Sequence, residues 1–474
     1  MTYPESLRYL ESFINYERIT DWSYKDSLKL GRFRDFLSSI DNPQNNLACL
    51  HVAGSKGKGS TCVFLTYILR QAGYRVGLYT SPHLFDFRER IRILSAKTLK
   101  PSRRQSGPRE ELLCPGKDFE GMISRGELTA LVKKLKTAIE KYNETSKYGP
   151  LTFFEVYTAL AFVYFKEKKT DFVVLETGLG GRLDATNAVE PLVCAITPIS
   201  YEHTQRLGST LREIATEKAG IIKNSPLANF SARRITVISA PQEKEAQDVI
   251  RQRCKELAVK LYEVGQDIVF HETNSSFNIK GIFGRYPGLK INLLGRHQLI
   301  NASVAVGVIE ALQSYGIAID TSSIKTGLGQ TVWPGRCEAV ARAPWVVLDG
   351  AQNAASAFAL RQAIRENFSG AGKFNQGRKY KKLILVFGIS KDKDIKGVIF
   401  QLADLADVVV LTKSGNPRAQ PPETMKEYFK DKPVYVTQSV KEARELAARI
   451  AARQDLVLVT GSLFVVGEFR NGKS

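Results

Sequence analysis

At 474 residues, with 43% hydrophobic and 24% charged residues, the chain is long enough for two or three domains, each with its own core. No apolar run approaches the ~18 residues a membrane-spanning helix needs. The start, "MTYPESLRYLESF", is polar and acidic where a secretory signal needs a basic and then an apolar stretch, so a cytoplasmic protein is expected. A formal charge of +20 suits partners rich in phosphate or carboxylate, although the lysines and arginines are spread over amphipathic segments such as "ELTALVKKLKTAIEKY". The denser clusters, "KPSRRQ" and "QGRKYKK", fall in loop-like sequence and read as solvation, not as a nucleic-acid footprint.

In chain order, a helical lead ("LRYLESFINY") precedes the first apolar run, "LACLHVAG". Short β-branched runs then alternate with helical segments, which predicts an α/β fold on a largely parallel sheet. Further strands are "RVGLYTS", "DFVVLETG", "LVCAITPI" and "ITVISA", with helices over Lys58 to Gly73, Thr152 to Lys168 and Leu211 to Ile222. The Pro-, Gly- and charge-rich stretch at about 95–122 lacks apolar periodicity and reads as a surface insertion. From Val269 to Leu294 the pattern alternates and is punctuated by glycine, which predicts antiparallel strands at the edge of the first domain. After the helix "HQLINASVAVGVIEALQSYG" the alternation restarts with "WVVLDG", "KLILVFGIS", "DVVVLTK", "PVYVT" and "LVLVTGS". The expected organisation is a P-loop-type parallel-sheet domain over 1–317, a join at 318–333 and a smaller Rossmann-like α/β domain over 334–474. A ligand is expected in the cleft between them. Six widely spaced cysteines without a CxxC pair read as reduced, mostly buried thiols.

The densest signal is "HVAGSKGKGSTC", residues 51–62. A strand that ends in a glycine-rich turn and opens a helix aims backbone N–H groups and the helix dipole at one point, where an anion is stabilised. Lysine neutralises phosphate charge, and a hydroxyl serves phosphate or Mg²⁺. Gly54, Gly57, Lys58, Gly59, Ser60 and Thr61 are therefore candidates for a nucleotide's phosphates. The loop is shorter than the usual G-x-x-x-x-G-K-[ST], and "GLGGRLD" at 178–184 lacks the dinucleotide spacing.

This shortened loop resembles that of the folylpolyglutamate synthase/dihydrofolate synthase family, a branch of the Mur ligase superfamily. "YTSPHLFDFRERIRI", "LTFFE", "LETGLGGRLDATN", "EHTQRLG", "EKAGIIK", "GRHQLINA", "WPGRCE", "LDGAQN", "GISKDKD" and "TGSLFVVGE" follow in the order of the family's motifs. The resemblance implies an ATP-dependent acid–amino-acid ligase that joins glutamate to dihydropteroate or to folates, with the carboxyl activated as an acyl phosphate. It implies ATP and Mg²⁺, small-molecule partners only, neither nucleic acid nor membrane, and a monomer. By the same resemblance Ser81, Glu176 and His203 ligate Mg²⁺, and Lys218 joins them if carbamylated by CO₂. Desolvation of a lysine favours the neutral amine that this reaction needs. Asn301, Arg336 and Asp349 match ATP-contacting positions. Thr152, Phe153, Phe154 and Glu155, with Leu183, Asp184 and Ala185, match the pterin side, where an aromatic face suits a flat heterocycle.

The sequence departs from the family at Gln352, where histidine is usual, at Gln298, where asparagine is usual, and at Glu202, where aspartate precedes the metal histidine. Gln352 does not titrate near neutrality and has no proton to transfer there. Two rival readings fit the sequence less well. A ligase of UDP-muramyl peptides usually carries a separate N-terminal domain, and only a short lead precedes Gly54. A basic P-loop triphosphatase acting on nucleic acid predicts a longer phosphate loop and a concentrated basic stripe.

Overall fold

The computed structural model describes residues 1–19, 22–96, 119–224, 235–273, 276–368 and 380–472. Most of the insertion expected at 95–122, with the cluster "KPSRRQ", lies outside the described residues. Two parallel sheets carry the chain. The first has seven strands: β1 (Cys49–Ala53), β2 (Val76–Tyr79), β3 (Ile91–Leu94), β4 (Phe172–Glu176), β5 (Pro191–Ile196), β6 (Thr236–Ser239) and β7 (Lys260–Glu263). Their order is β3-β2-β4-β1-β5-β6-β7, and every pairing is parallel except β2 with β3. Burial on both faces is why the inner strands read as continuous apolar runs. All residues of β1, β2, β4 and β5 are buried.

The Gly-punctuated stretch forms a separate antiparallel sheet of β8 (Val269–Glu272), β9 (Phe277–Lys280) and β10 (Arg285–Leu289). The second large sheet takes β11 (Glu338–Arg342), β12 (Trp345–Leu348), β13 (Leu383–Phe387), β14 (Val408–Leu411), β15 (Val434–Val436) and β16 (Leu456–Thr460) in the order β11-β12-β16-β13-β14-β15. Only β11 runs antiparallel to its neighbour. Both antiparallel edge strands escape the sequence reading because each lies in mixed polar sequence at a sheet margin. The fold is the expected mixed α/β arrangement, with the strand-end loops of each sheet free to carry ligand chemistry.

Helices close the layers. Lys58–Gln71 is buried along nearly its whole length under His297–Ala311 and Thr321–Gln330. Contact with the last is close enough that a Cβ at Gly327 would lie 2.5 Å from the Ile68 Cα. Phe153–Glu167 opens with a capping box, Thr152 and Glu155 each serving the other's backbone N–H. Five cysteines, Cys49, Cys62, Cys194, Cys254 and Cys337, are free and buried, as expected; Cys114 lies outside the described residues. Among the described residues no helix is long and apolar enough to cross a membrane.

Candidate active site

Adjacent strands of the first sheet end at one place. β2, β4, β1 and β5 lie side by side, and their carboxyl ends lead into Ser81, Glu176, the glycine loop and His203. Two glycines of the loop are demanded by sterics. Gly54 has φ +150° and a Cβ there would sit 1.9 Å from Thr197 Oγ1; Gly57 has φ +83° and its Cβ would sit 2.1 Å from Asn301 Oδ1. The second contact shows how tightly Asn301 packs on the loop. Asn301 is held in turn by its donation to Gln298 Oε1 at 2.9 Å.

A cavity of about 430 Å³ opens over this loop. Gly57, Lys58, Gly59, Ser60, Ser81, Glu176, His203, Lys218, Asn301, Arg336 and Asp349 all line it, so it gathers eleven of the thirteen residues expected at the nucleotide and metal sites. Gly54 and Thr61 lie just beneath. The Gly54 carbonyl accepts from both Lys58 Nζ and Lys218 Nζ at 2.9 Å, and the buried Thr61 Oγ1 has no hydrogen-bond partner. Two ammonium groups on one carbonyl, beside a helix N-terminus with unsatisfied amides, form an electropositive floor. No carboxylate pairs with Lys58 within salt-bridge distance among the described residues. That arrangement fits phosphate oxygens.

Glu176 is buried at the end of β4 and, among the described residues, accepts only the Ser81 N–H, at 3.1 Å. Burial raises its pKa, against the pull of Lys58, the Ser81 amide, Arg336 and Arg90. A buried carboxylate that lines a cavity together with Ser81 and His203, and has no ion pair among the described residues, fits a hard divalent ion that keeps part of its water shell. Among the described residues no group of three or more His, Cys, Asp or Glu side chains forms a ready metal site. The expected set therefore depends on the Ser81 hydroxyl and on Lys218. His203 is accessible from the cleft. Desolvation within the cleft lowers its pKa to about 4, aided by Lys393, Lys218 and Arg206 and opposed by Glu202.

Lys218 is fully buried and donates to Glu202 Oε1 at 2.8 Å. Burial lowers its pKa and outweighs the attraction of Glu202. For Glu202 the balance goes the other way: burial raises its pKa, but Lys218, Lys58 and His203 together bring it to about 2. Asp349 spends one oxygen on the Cys337 N–H and the other on the Ala351 N–H, each at 2.8 Å. It thereby shapes the turn that carries Arg336.

A second cavity of about 180 Å³ adjoins the first. Thr152, Phe154, Glu155, Leu183, Asp184 and Ala185 line it as expected, and Gly178, Leu179, His203 and Gln352 wall both cavities. The structure corrects one residue. Phe153 is 1% exposed, turned into the core against Phe87 and Tyr157 beneath the Arg90 guanidinium. Consecutive helical side chains diverge by about 100°, so Phe153 and Phe154 cannot share a face. Three polar members act as scaffold. Glu155 accepts from Arg32 and from Thr152, and Asp184 accepts four hydrogen bonds from Gly178, Leu179 and Thr186. Sequence reasoning missed the opposite wall, where Tyr16 stacks on Trp22 at 4.4 Å and Arg206 lies 4.6 Å over the indole. Lys393 and Arg418 reach the same cavity from the second lobe. The aromatic density of "INYERITDWSY" before β1 was the one available signal.

The Mur ligase middle domain matches residues 123–309, and the Mur ligase glutamate ligase domain matches residues 335–463. The dihydrofolate synthase/folylpolyglutamate synthase of Bacillus subtilis is 32% identical over 448 residues, covering 93% of this chain and 94% of its own. The chain belongs to the dihydrofolate synthase/folylpolyglutamate synthase family. Solved members superpose along its whole length. E. coli FolC in complex with DHPP and ADP has a TM-score of 0.79 at 27% identity, covering 99% of this chain and 96% of its own. The bifunctional folylpolyglutamate synthase/dihydrofolate synthase of Yersinia pestis, complexed with AMPPNP and a Mn ion, has a TM-score of 0.76 at 28% identity, covering 99% and 97%. In this family member, then, two adjoining cavities share four wall residues at the strand ends of both sheets.

Proposed function

We propose that this chain is an ATP-dependent ligase that joins the α-amine of L-glutamate to a carboxyl group of dihydropteroate, of a (tetrahydro)folate, or of both. The adjoining cavities carry the reading. One has the cations and helix N-terminus that phosphates require; the other has the aromatic and aliphatic wall that a flat heterocycle requires. ATP and a divalent ion are the cofactors that relatives with bound nucleotide and metal support. The division of labour follows domains at 1–317 and 334–474, with the helix Thr321–Gln330 of the join packed on the first.

The acceptor carboxylate oxygen attacks the γ-phosphorus of ATP, forming an acyl phosphate and releasing ADP. The glutamate amine, having lost its proton, then attacks the acyl carbon, and phosphate leaves with the electron pair of the C–O bond. Lys58 and the first amides of Lys58–Gln71 hold the phosphates, Asn301 packs against that loop, and Arg336 covers charge as it moves onto the leaving oxygens. Ser81, Glu176 and His203 would hold Mg²⁺, with Lys218 joining them in the carbamylated form. The bound ion supplies positive charge to the phosphate oxygens. Phe154 offers its ring to the acceptor, while Leu183 and Ala185 close the apolar wall and Thr152, Glu155 and Asp184 keep that wall in place.

The reading is tested by incubating the protein with ATP, Mg²⁺ and labelled glutamate, offering dihydropteroate and tetrahydrofolate in separate reactions. Phosphate release with label entering either acceptor is expected. Label entering neither would overturn the reading.

A further inference from the structure

The loop between β2 and β3 makes a contact that neither cavity uses. It starts at Ser81 and Pro82, which stand in the walls of the first and second cavities respectively. Its far end is fixed to the first lobe. The buried Glu89 carboxylate accepts the N–H groups of Leu84, Phe85 and Asp86 at 2.6, 3.0 and 2.7 Å. The fully buried Arg90 pairs with Glu17 at 2.5 Å and donates to His83 Nδ1 at 3.0 Å. Between these anchors Leu84 leaves its own lobe. It is 7% exposed and belongs to the apolar cluster of the second lobe, with Leu348, Leu463, Val466 and Phe469.

The second lobe is cut to receive it. A Cβ at Gly467 would lie 2.1 Å from the Leu84 carbonyl oxygen, and a Cβ at Gly335 would lie 3.3 Å from Leu84 Cδ1. Gly467 stands inside the helix Leu463–Asn471, where only proline is less favoured than glycine, so its presence there needs a packing reason. Gly335 immediately precedes Arg336, and its carbonyl accepts the Gly350 N–H at 3.0 Å. Leu84 therefore touches the turn that carries Arg336, while three residues earlier its own loop carries Ser81 beside Glu176. Contacts between lobes are ordinarily loose enough to permit relative motion, and a side chain plugged into the opposite core removes that freedom.

We propose that Leu84 is a positioning residue: seated between Gly335 and Gly467, it holds Ser81 and Glu176 opposite Arg336, so that the nucleotide-side cavity takes its working shape only when the second lobe is docked on this loop. The proposal rests on the ligase reading for its kinetic readout and on packing alone for its structural one.

The test uses the full-length chain with Leu84→Ala, Leu84→Met and Gly467→Ala. Gly467→Ala leaves every cavity residue intact, favours its helix, and displaces Leu84 by steric contact. Both Leu84→Ala and Gly467→Ala are expected to lower kcat about a hundredfold while the KM for ATP stays within about threefold, because misplacement rather than lost binding is the cause. Leu84→Met, which can still fill the socket, should restore kcat to within about fivefold of the parent. Small-angle scattering should give a larger radius of gyration for Leu84→Ala and Gly467→Ala than for the parent and Leu84→Met. Parental kcat and radius of gyration in both would overturn the proposal, as would a loss of activity that only follows the fraction unfolded or that Leu84→Met shares in full. If the parent chain transfers no glutamate, the ligase reading fails, and scattering alone still decides the latch.

Discussion

The two cavities are built from different materials. The nucleotide side is framed by backbone: a glycine turn, a helix N-terminus and four neighbouring strand ends, with charged groups set into the frame. The acceptor side is assembled from side chains of segments far apart in sequence, from Ile14 and Trp22 through Phe154 and Leu183 to Lys393 and Arg418. A backbone frame tolerates little change, because a Cβ at Gly54 or Gly57 has nowhere to go. A side-chain wall can be changed one residue at a time without disturbing the backbone beneath it.

Breaking the frame should cost the most. Glu176→Ala is expected to lower turnover about a thousandfold while circular dichroism and thermal unfolding stay those of a folded protein, since the buried carboxylate has no ion pair to orphan among the described residues. Retained turnover would remove Glu176 from the metal site. On the wall, Phe154→Ala should raise the KM for the acceptor about thirtyfold and leave the KM for ATP within about twofold. An equal rise in both would mean that the cavities are not separate. Trp22→Ala should give a smaller shift in the same direction, about fivefold, because Arg206 and Tyr16 remain to cover the opening.

The legibility of the two regions differs for the same reason. The glycine loop, Glu176 and His203 were readable because each follows a β-branched run, and a parallel sheet brings the carboxyl ends of neighbouring strands together. The restart of alternation after Gly316 exposed the second sheet. β3 and β11 were not readable, being short, mixed in polarity and marginal. Phe153 and Phe154 could not be told apart in sequence, since the phase of a helix is set by what it packs against. Trp22, Arg206 and Arg418 obey no common spacing; only the fold makes them neighbours. Lys218 was marked by resemblance to the family's motif, but its pairing with Glu202 became visible only in three dimensions.

The Lys218–Glu202 pair sets a modest dependence of stability on pH. Glu202 falls from 4.5 to about 2 on folding, so its contribution to stability is complete above pH 4.5 and disappears as the pH drops toward about 2. Glu202→Gln should flatten the acid limb of the stability curve over that interval and leave its shape above pH 5 unchanged. An acid limb identical to the parent's would mean that the charge pair does not form in solution.

In the proposed mechanism the acceptor's carboxylate is delivered from one cavity to the γ-phosphoryl group held in the other. The deciding measurement supplies an acceptor whose reacting carboxylate carries ¹⁸O at both oxygens, with ATP and glutamate, and determines the isotope content of the phosphate released. One ¹⁸O per phosphate is predicted for each amide formed, because the carboxylate oxygen leaves on phosphorus. Amide formation with unlabelled phosphate would contradict the account.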